Sequence, residues 1–208
     1  DITDGASFDN NIMCISEKCI VAVESILPEF VMQLEANGAY YIDNEEEMVK
    51  ITKAVLNCDM KMIRKMEGKS AMEILQEAGI HTSRHVRLIV VRTFSKHPLV
   101  LEECLMPVVP LVAAADFKEA LDTALFTEQG YRHTAMMHSQ SIDRLCEAAK
   151  VMNTTVFIKN GSSLAGIGLN GEEKASFTIA NMTGEGVTTA RDFACKRSCT
   201  LTSGFSIR

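Results

Sequence analysis

Apolar and polar positions along the chain follow two rhythms. Residues 19–24 (CIVAVE) are a short β-branched run of the kind that forms a buried strand. Pro28 then stands at a helix start, and FVMQLEANG carries the helical period to a stop at Gly38. Residues 44–56 open with Asn44 as N-cap and an acidic first turn. Their apolar positions Met48, Ile51, Val55 and Leu56 recur at helical spacing, which predicts a second helix. Residues 70–78 predict a third, stopped by Gly79.

Beyond His85 strand and helix patterns alternate. VRLIVVRTF (86–94) and PVVPLVAAA (107–115) predict strands, and FKEALDTALFTEQG (117–130) a helix with a glycine stop. HTAMMHS (133–139) predicts a strand, SIDRLCEAAKVM (141–152) a helix capped by Ser141, and TTVFIKN (154–160) a strand. Such alternation with short connections predicts an α/β fold, a mostly parallel sheet covered by helices. Residues 1–13 read as the end of a helix running into a turn. After Gly161 comes a loop-rich tail in which CTLTSGFSI (199–207) alternates like an exposed strand.

Composition narrows the class. The chain has 208 residues, 47% hydrophobic and 23% charged, which suits a folded domain with a sizeable core and excludes disorder. Net charge is −6, and CKRSC (195–199) is its one basic cluster, so nucleic acid is not expected as a partner. The longest apolar run, 106–115, is broken by prolines and is far shorter than the roughly 20 residues a membrane-spanning helix needs. No membrane partner is expected, and no signal-peptide pattern opens the chain. The cysteine count of 7 is odd and contains no CxxC pair, which fits a reducing compartment.

Among candidate chemical groups, Cys14 stands out. It follows Asp9, Asn10 and Asn11 and precedes Ser16, Glu17 and Lys18, a polar setting that displays a thiol between a turn and a strand. A nucleophilic cysteine needs such access, and nearby backbone N–H groups can stabilise an oxyanion. From the residues alone, an incidental surface thiol remains open beside that reading. Cys19, Cys58, Cys104 and Cys146 fall in strand or helix patterns and read as small core residues, and Cys195 and Cys199 read as structural. No metal site is expected. HTSRH (81–85) lacks the glutamate of a zinc helix, and His133 and His138 are spaced to point to opposite faces of one strand. GIGLNG (166–171) matches the dinucleotide-binding GxGxxG in letters, but no strand runs directly into it and no helix follows. It reads as a glycine-rich loop at an active-site mouth. Glu102 and Glu103, just ahead of a buried strand, read as a solvated strand entrance.

Taken together, GASFDNNIMCISEK, HPLVLEECLMPVVPLV, YRHTAMMHS, TTVFIKNG and TGEGVTTARDF resemble the CoA-acylating aldehyde dehydrogenases of bacterial microcompartments, in order and across the whole chain. The resemblance implies a three-layer αβα catalytic domain over residues 1–193 and a C-terminal strand of an oligomerisation sheet over 194–208. It implies further that the nucleotide-binding domain, with the asparagine of the oxyanion hole, lies outside this chain. On it, Cys14 falls on the nucleophile and Glu103 on the glutamate that holds the nicotinamide ribose. Cys104, Leu105 and Met106 depart from the Ile, Phe and Gly of hydrolytic relatives. Met13 and Ile15 flank the nucleophile, while Ser162 and Ser163 lie in the loop that lines the aldehyde pocket.

The reaction implied is oxidation of acetaldehyde or propionaldehyde by NAD, with coenzyme A as cosubstrate, through a cysteine thioester. The implied setting is the cytoplasm, inside a microcompartment, as a homo-oligomer that meets shell or lumen proteins. Two other readings stand beside it: the aldehyde dehydrogenase half of a bifunctional aldehyde-alcohol dehydrogenase, and a non-catalytic α/β interaction module.

Overall fold

A computed structural model describes residues 1–172, 174–179 and 186–204. Helix α1 (Ile2–Ser7) runs into a 3₁₀ turn (Phe8–Asn11), and strand β1 (Ile20–Val23) follows. Then come α2 (Leu27–Ala36), β2 (Ala39–Ile42), α3 (Glu45–Val55), α4 (Ala71–Glu77) and β3 (Leu88–Thr93). A single helical turn, α5 (Pro98–Leu101), leads to β4 (Val108–Ala114) and α6 (Phe117–Glu128). The order closes with β5 (Thr134–Met137), α7 (Ile142–Met152) and β6 (Val156–Lys159).

Local sequence accounts for the helix starts. Asn44, Asp116 and Ser141 each accept an N–H bond of the first turn with their side chains, and Ser70 with Glu73 forms a capping box. Gly38 ends α2 at φ +94°, a conformation that costs glycine nothing.

The strands form a four-stranded parallel sheet in the order β1-β4-β3-β2, with β5 and β6 paired parallel in a separate sheet. Side chains of β3 alternate between two cores. Ile89 and Val91 pack with Ile51, Val55 and Ile74 of α3 and α4, whereas Leu88 and Val90 pack with Ala6, Leu27 and Leu34 of α1 and α2. Helices therefore cover both faces, as a three-layer αβα arrangement requires. A third, smaller core joins Ile15 to Val156, Ile158, Ile179 and Val187.

Several expectations need correction. Strand β2 was not foreseen, although AYYI between Gly38 and Asn44 has the aromatic and β-branched character of a strand. The parallel sheet is as expected, and β5 and β6 form a separate parallel pair beside it. Residues 199–204 form no strand, because an extended segment without a partner gains no ladder hydrogen bonds; residues 205–207 of that predicted strand lie outside the described set. Cys58 and Cys146 are exposed, not core: Cys58 sits in the turn after α3, and Cys146 is on the solvent side of α7, whose buried positions are Leu145, Ala148 and Met152. Cys195 and Cys199 are likewise exposed and unpaired. No helix among the described residues is long and apolar enough to cross a membrane.

Candidate active site

Strands β1 and β4 lie side by side and parallel, with Ile20 opposite Leu111. Parallel pairing brings the segments that precede them, which carry Cys14 and Glu103, to the same end of the sheet.

Cys14 and Ile15 are the two central residues of a turn closed by the Ser16 amide donating to the Met13 carbonyl at 3.1 Å. Ile15, 2% exposed, sinks into the third core and anchors the turn, while Cys14 beside it is exposed. Met13 is partly exposed. The approach to this turn is unusual, since Asp9, Asn10 and Asn11 in succession have φ of 46°, 52° and 60°. Asparagine and aspartate tolerate that left-handed region better than most residues, yet each such position costs about 1 kcal/mol or more and must be held by its surroundings.

Side chains hold it. Asn10 Nδ2 donates to the Gly68 carbonyl at 3.0 Å, and the Gly68 amide donates to the Leu105 carbonyl at 2.8 Å, which ties the turn to the segment carrying Glu103. Asn11 is fully buried; its Nδ2 donates to the carbonyls of Ala6 (2.7 Å) and Glu17 (3.0 Å). Both Asn11 oxygens accept from Lys18 Nζ, each at 2.6 Å. Burial pushes the Lys18 ammonium down to about 8, partly offset by the negative partners Glu103, Cys104, Cys14 and Glu17.

Glu17 is buried as well. Its carboxylate accepts from the Ser163 amide (2.9 Å) and hydroxyl (2.8 Å), which locks the Cys14 turn onto the 3₁₀ turn Ser163–Ile167. Burial raises the Glu17 carboxyl above its ordinary value, and the Ser163 bonds pull it part of the way back. Gly5 makes room for this pair, because a β-carbon there would collide with both Glu17 carboxylate oxygens and with Ser163 Oγ. Ser162 caps the same 3₁₀ turn, its Oγ accepting from the Leu164 amide.

A cavity of about 380 Å³ adjoins the site, and Cys14, Ser16 and Lys18 are among the residues that line it. Residues 19–23 and 133–138 all line it. Consecutive strand residues point to opposite faces, so a cavity bordered by every one of them runs along the edges of β1 and β5. His133 and His138 both border this cavity, one just before β5 and the other just after it. Ser16 Oγ is buried with no hydrogen-bond partner.

Other candidates separate by role. Glu102 is engaged, its carboxylate accepting from Lys61 Nζ (2.8 Å) and the Met62 amide (3.2 Å), whereas Glu103 is exposed. GIGLNG follows no strand into a helix. Gly166 packs where a β-carbon would lie 2.9 Å from Val156 Cγ1, so its glycine serves close packing. Burial raises the thiols of Cys19 and Cys104 to about 12. No cluster of three or more potential metal ligands occurs among the described residues. Sequence reading passed over Asn11, Glu17 and Lys18. Their one signal was a run of polar residues on both sides of a cysteine.

No family model matches the chain. A propanal dehydrogenase (CoA-propanoylating) of Citrobacter freundii is 44% identical over 209 residues, which take in 100% of this chain and 45% of that protein. Among solved structures, the propionaldehyde dehydrogenase of Rhodopseudomonas palustris with bound propionyl-CoA superposes with a TM-score of 0.91 at 41% identity, covering 97% of this chain and 44% of that one. A propionaldehyde dehydrogenase from the Clostridium phytofermentans fucose utilisation bacterial microcompartment gives 0.88 at 38%, covering 100% and 48%. The chain spans under half the length of these relatives. Over that stretch it belongs, by sequence and by fold, with the CoA-acylating aldehyde dehydrogenases.

Proposed function

We propose that this chain forms the thiol-bearing part of an enzyme that converts a short aliphatic aldehyde, with CoA and NAD, to acyl-CoA and NADH. The observation that carries the reading is Cys14 itself, an exposed thiol on a turn anchored from below by Ile15 and braced by Glu17, Ser163 and Asn11. The Cys14 sulfur adds to the aldehyde carbon, forming a C–S bond and a thiohemiacetal whose oxygen takes a proton. Nicotinamide, when bound, would supply the acceptor for the hydride on that carbon; the hydroxyl proton leaves to solvent and the adduct becomes a thioester. The CoA thiol then attacks the thioester carbonyl, a C–S bond to CoA forms, the bond to Cys14 breaks, and the Cys14 sulfur recovers a proton. A cysteine suits this because a thioester exchanges readily with another thiol.

Glu103 fits a place at the cofactor. It is an exposed carboxylate at the same end of the sheet as Cys14, and a carboxylate can accept hydrogen bonds from both hydroxyls of a ribose. Met13 and Ser162, partly exposed, suit contact with the aldehyde; Ile15 and Ser163, buried, support the site from behind. On this reading residues 1–193 are catalytic, residues 194–208 serve oligomerisation, and a separate nucleotide-binding domain completes the enzyme. The likeness to a microcompartment propionaldehyde dehydrogenase supports a proposed setting inside a bacterial microcompartment, as a homo-oligomer among shell or lumen proteins.

The test is acyl transfer. Incubation with propionyl-CoA should add one propionyl group, which peptide mapping places on Cys14, and Cys14→Ala should abolish it. Equal labelling of the other exposed thiols, or full labelling of the alanine variant, would overturn the reading.

A further inference from the structure

The reading above leaves Lys18 unexplained. A lysine is costly to bury, and a half-buried one needs a reason to sit where it does. Its ammonium is fixed between two oxygens of one residue, Asn11, at 2.6 Å each. Asn11 is held in turn by bonds to Ala6 and Glu17, so neither partner can drift. Both Asn11 oxygens are neutral acceptors, and no carboxylate among the described residues forms an ion pair with the ammonium, although Glu103 and Glu17 act on it from farther off. Lys18 and Cys14 line the same cavity.

We propose that Lys18 is a positioning residue that supplies fixed positive charge beside the Cys14 sulfur, and so favours negative charge there during addition and thioester exchange. This rests on the reading of Cys14 as the nucleophile. The cation's place is set by Asn11, whose left-handed backbone presents its carbonyl and its side-chain oxygen to one ammonium. A pre-set charge of this kind needs no reorganisation when the sulfur becomes anionic, which is where electrostatic assistance is most effective. It also offers an explanation for the polar run around Cys14: Asn11 and Glu17 build the seat, and Lys18 occupies it.

The test uses the charge of an alkylating reagent. Cys14 of the full chain is alkylated with iodoacetate and with iodoacetamide, and the rates are read at that residue by peptide mass spectrometry. A nearby cation favours the anionic reagent. In Lys18→Gln, which keeps amide donors for Asn11 but removes the charge, the iodoacetate-to-iodoacetamide rate ratio should fall about fivefold. Lys18→Arg should restore it to within about twofold of wild type. In wild type, added salt should lower the ratio. An unchanged ratio in a folded Lys18→Gln variant overturns the proposal. If that variant does not fold, the wild-type salt series decides, and a ratio that stays flat or rises with salt overturns it. Failure of propionyl transfer to Cys14, with the reagent ratio behaving as expected, would sink the enzymatic reading and leave the charge assignment standing.

Discussion

Glu17 and Ser163, 146 residues apart in sequence, meet through two hydrogen bonds of 2.8 and 2.9 Å inside the protein. This contact joins the turn that carries Cys14 to the turn that follows β6, so the orientation of Cys14 depends on a pair no local pattern announces.

The pair has a testable pH dependence. Glu17 has its folded-state value raised by burial, so its contribution to stability is present at acid pH and is lost as pH rises through the folded value. Glu17→Gln keeps an acceptor for the Ser163 amide without a buried charge. It should melt at or above wild type at about pH 7 and lose that advantage near about pH 4. Ser163→Ala should cost about 1–3 kcal/mol at neutral pH by leaving a buried carboxylate short of a donor. Melting followed by circular dichroism across pH checks both, and a strongly destabilised Gln variant at neutral pH would contradict the account.

Asn11 separates backbone strain from side-chain bonding. Its side chain bonds to Ala6, Glu17 and Lys18 at a φ of 60°. Asn11→Gly keeps the backbone conformation and loses the bonds, which should cost about 2–4 kcal/mol. Asn11→Ala should cost about 1 kcal/mol more, for left-handed strain. Urea denaturation distinguishes the two, and equal midpoints would show that the turn is not strained.

Thiol titration reads the burial pattern directly. Cys14, Cys58, Cys146, Cys195 and Cys199 should react with a disulfide reagent in the native chain, Cys19, partly exposed at the cavity with its thiol raised to about 12, should react more slowly, and Cys104, buried and raised to about 12, should react only after denaturant is added. Native reaction of Cys104 would show that the core around it opens readily.

Glu103→Gln separates cofactor binding from acyl chemistry. In an enzyme carrying this chain it should weaken nicotinamide binding about tenfold, through loss of charge-assisted hydrogen bonds. Propionyl exchange between CoA and Cys14 should stay within about twofold, because the proposed contact does not touch the acyl group. Cofactor titration beside an acyl-exchange assay measures both, and unchanged cofactor affinity would return Glu103 to the role of a solvated strand entrance.

What the sequence determined by itself is what neighbours in sequence decide. Asn44, Ser70, Asp116 and Ser141 start helices because each side chain accepts from the amide three residues ahead, and β3 is legible because both faces of a covered strand are apolar. Cys14 could be read as displayed because the residues around it are too polar to bury by packing alone. Tertiary structure decided the rest. Strand β2, whose two tyrosines interrupt an aliphatic run of the kind that marks β1, shows itself as a strand through its pairing with β3. Periodicity says which residues share a face and not whether a neighbour covers it, so Cys58 and Cys146 lie open to solvent while Cys104 is closed over. The seat of Lys18 is built within one short stretch, Ala6 to Lys18, whereas the lock between Glu17 and Ser163 exists only once the turn after β6 comes back to the Cys14 turn. The buried Glu17 carboxylate is stable only among partners that folding assembles, and its partner Ser163 comes from a distant part of the chain.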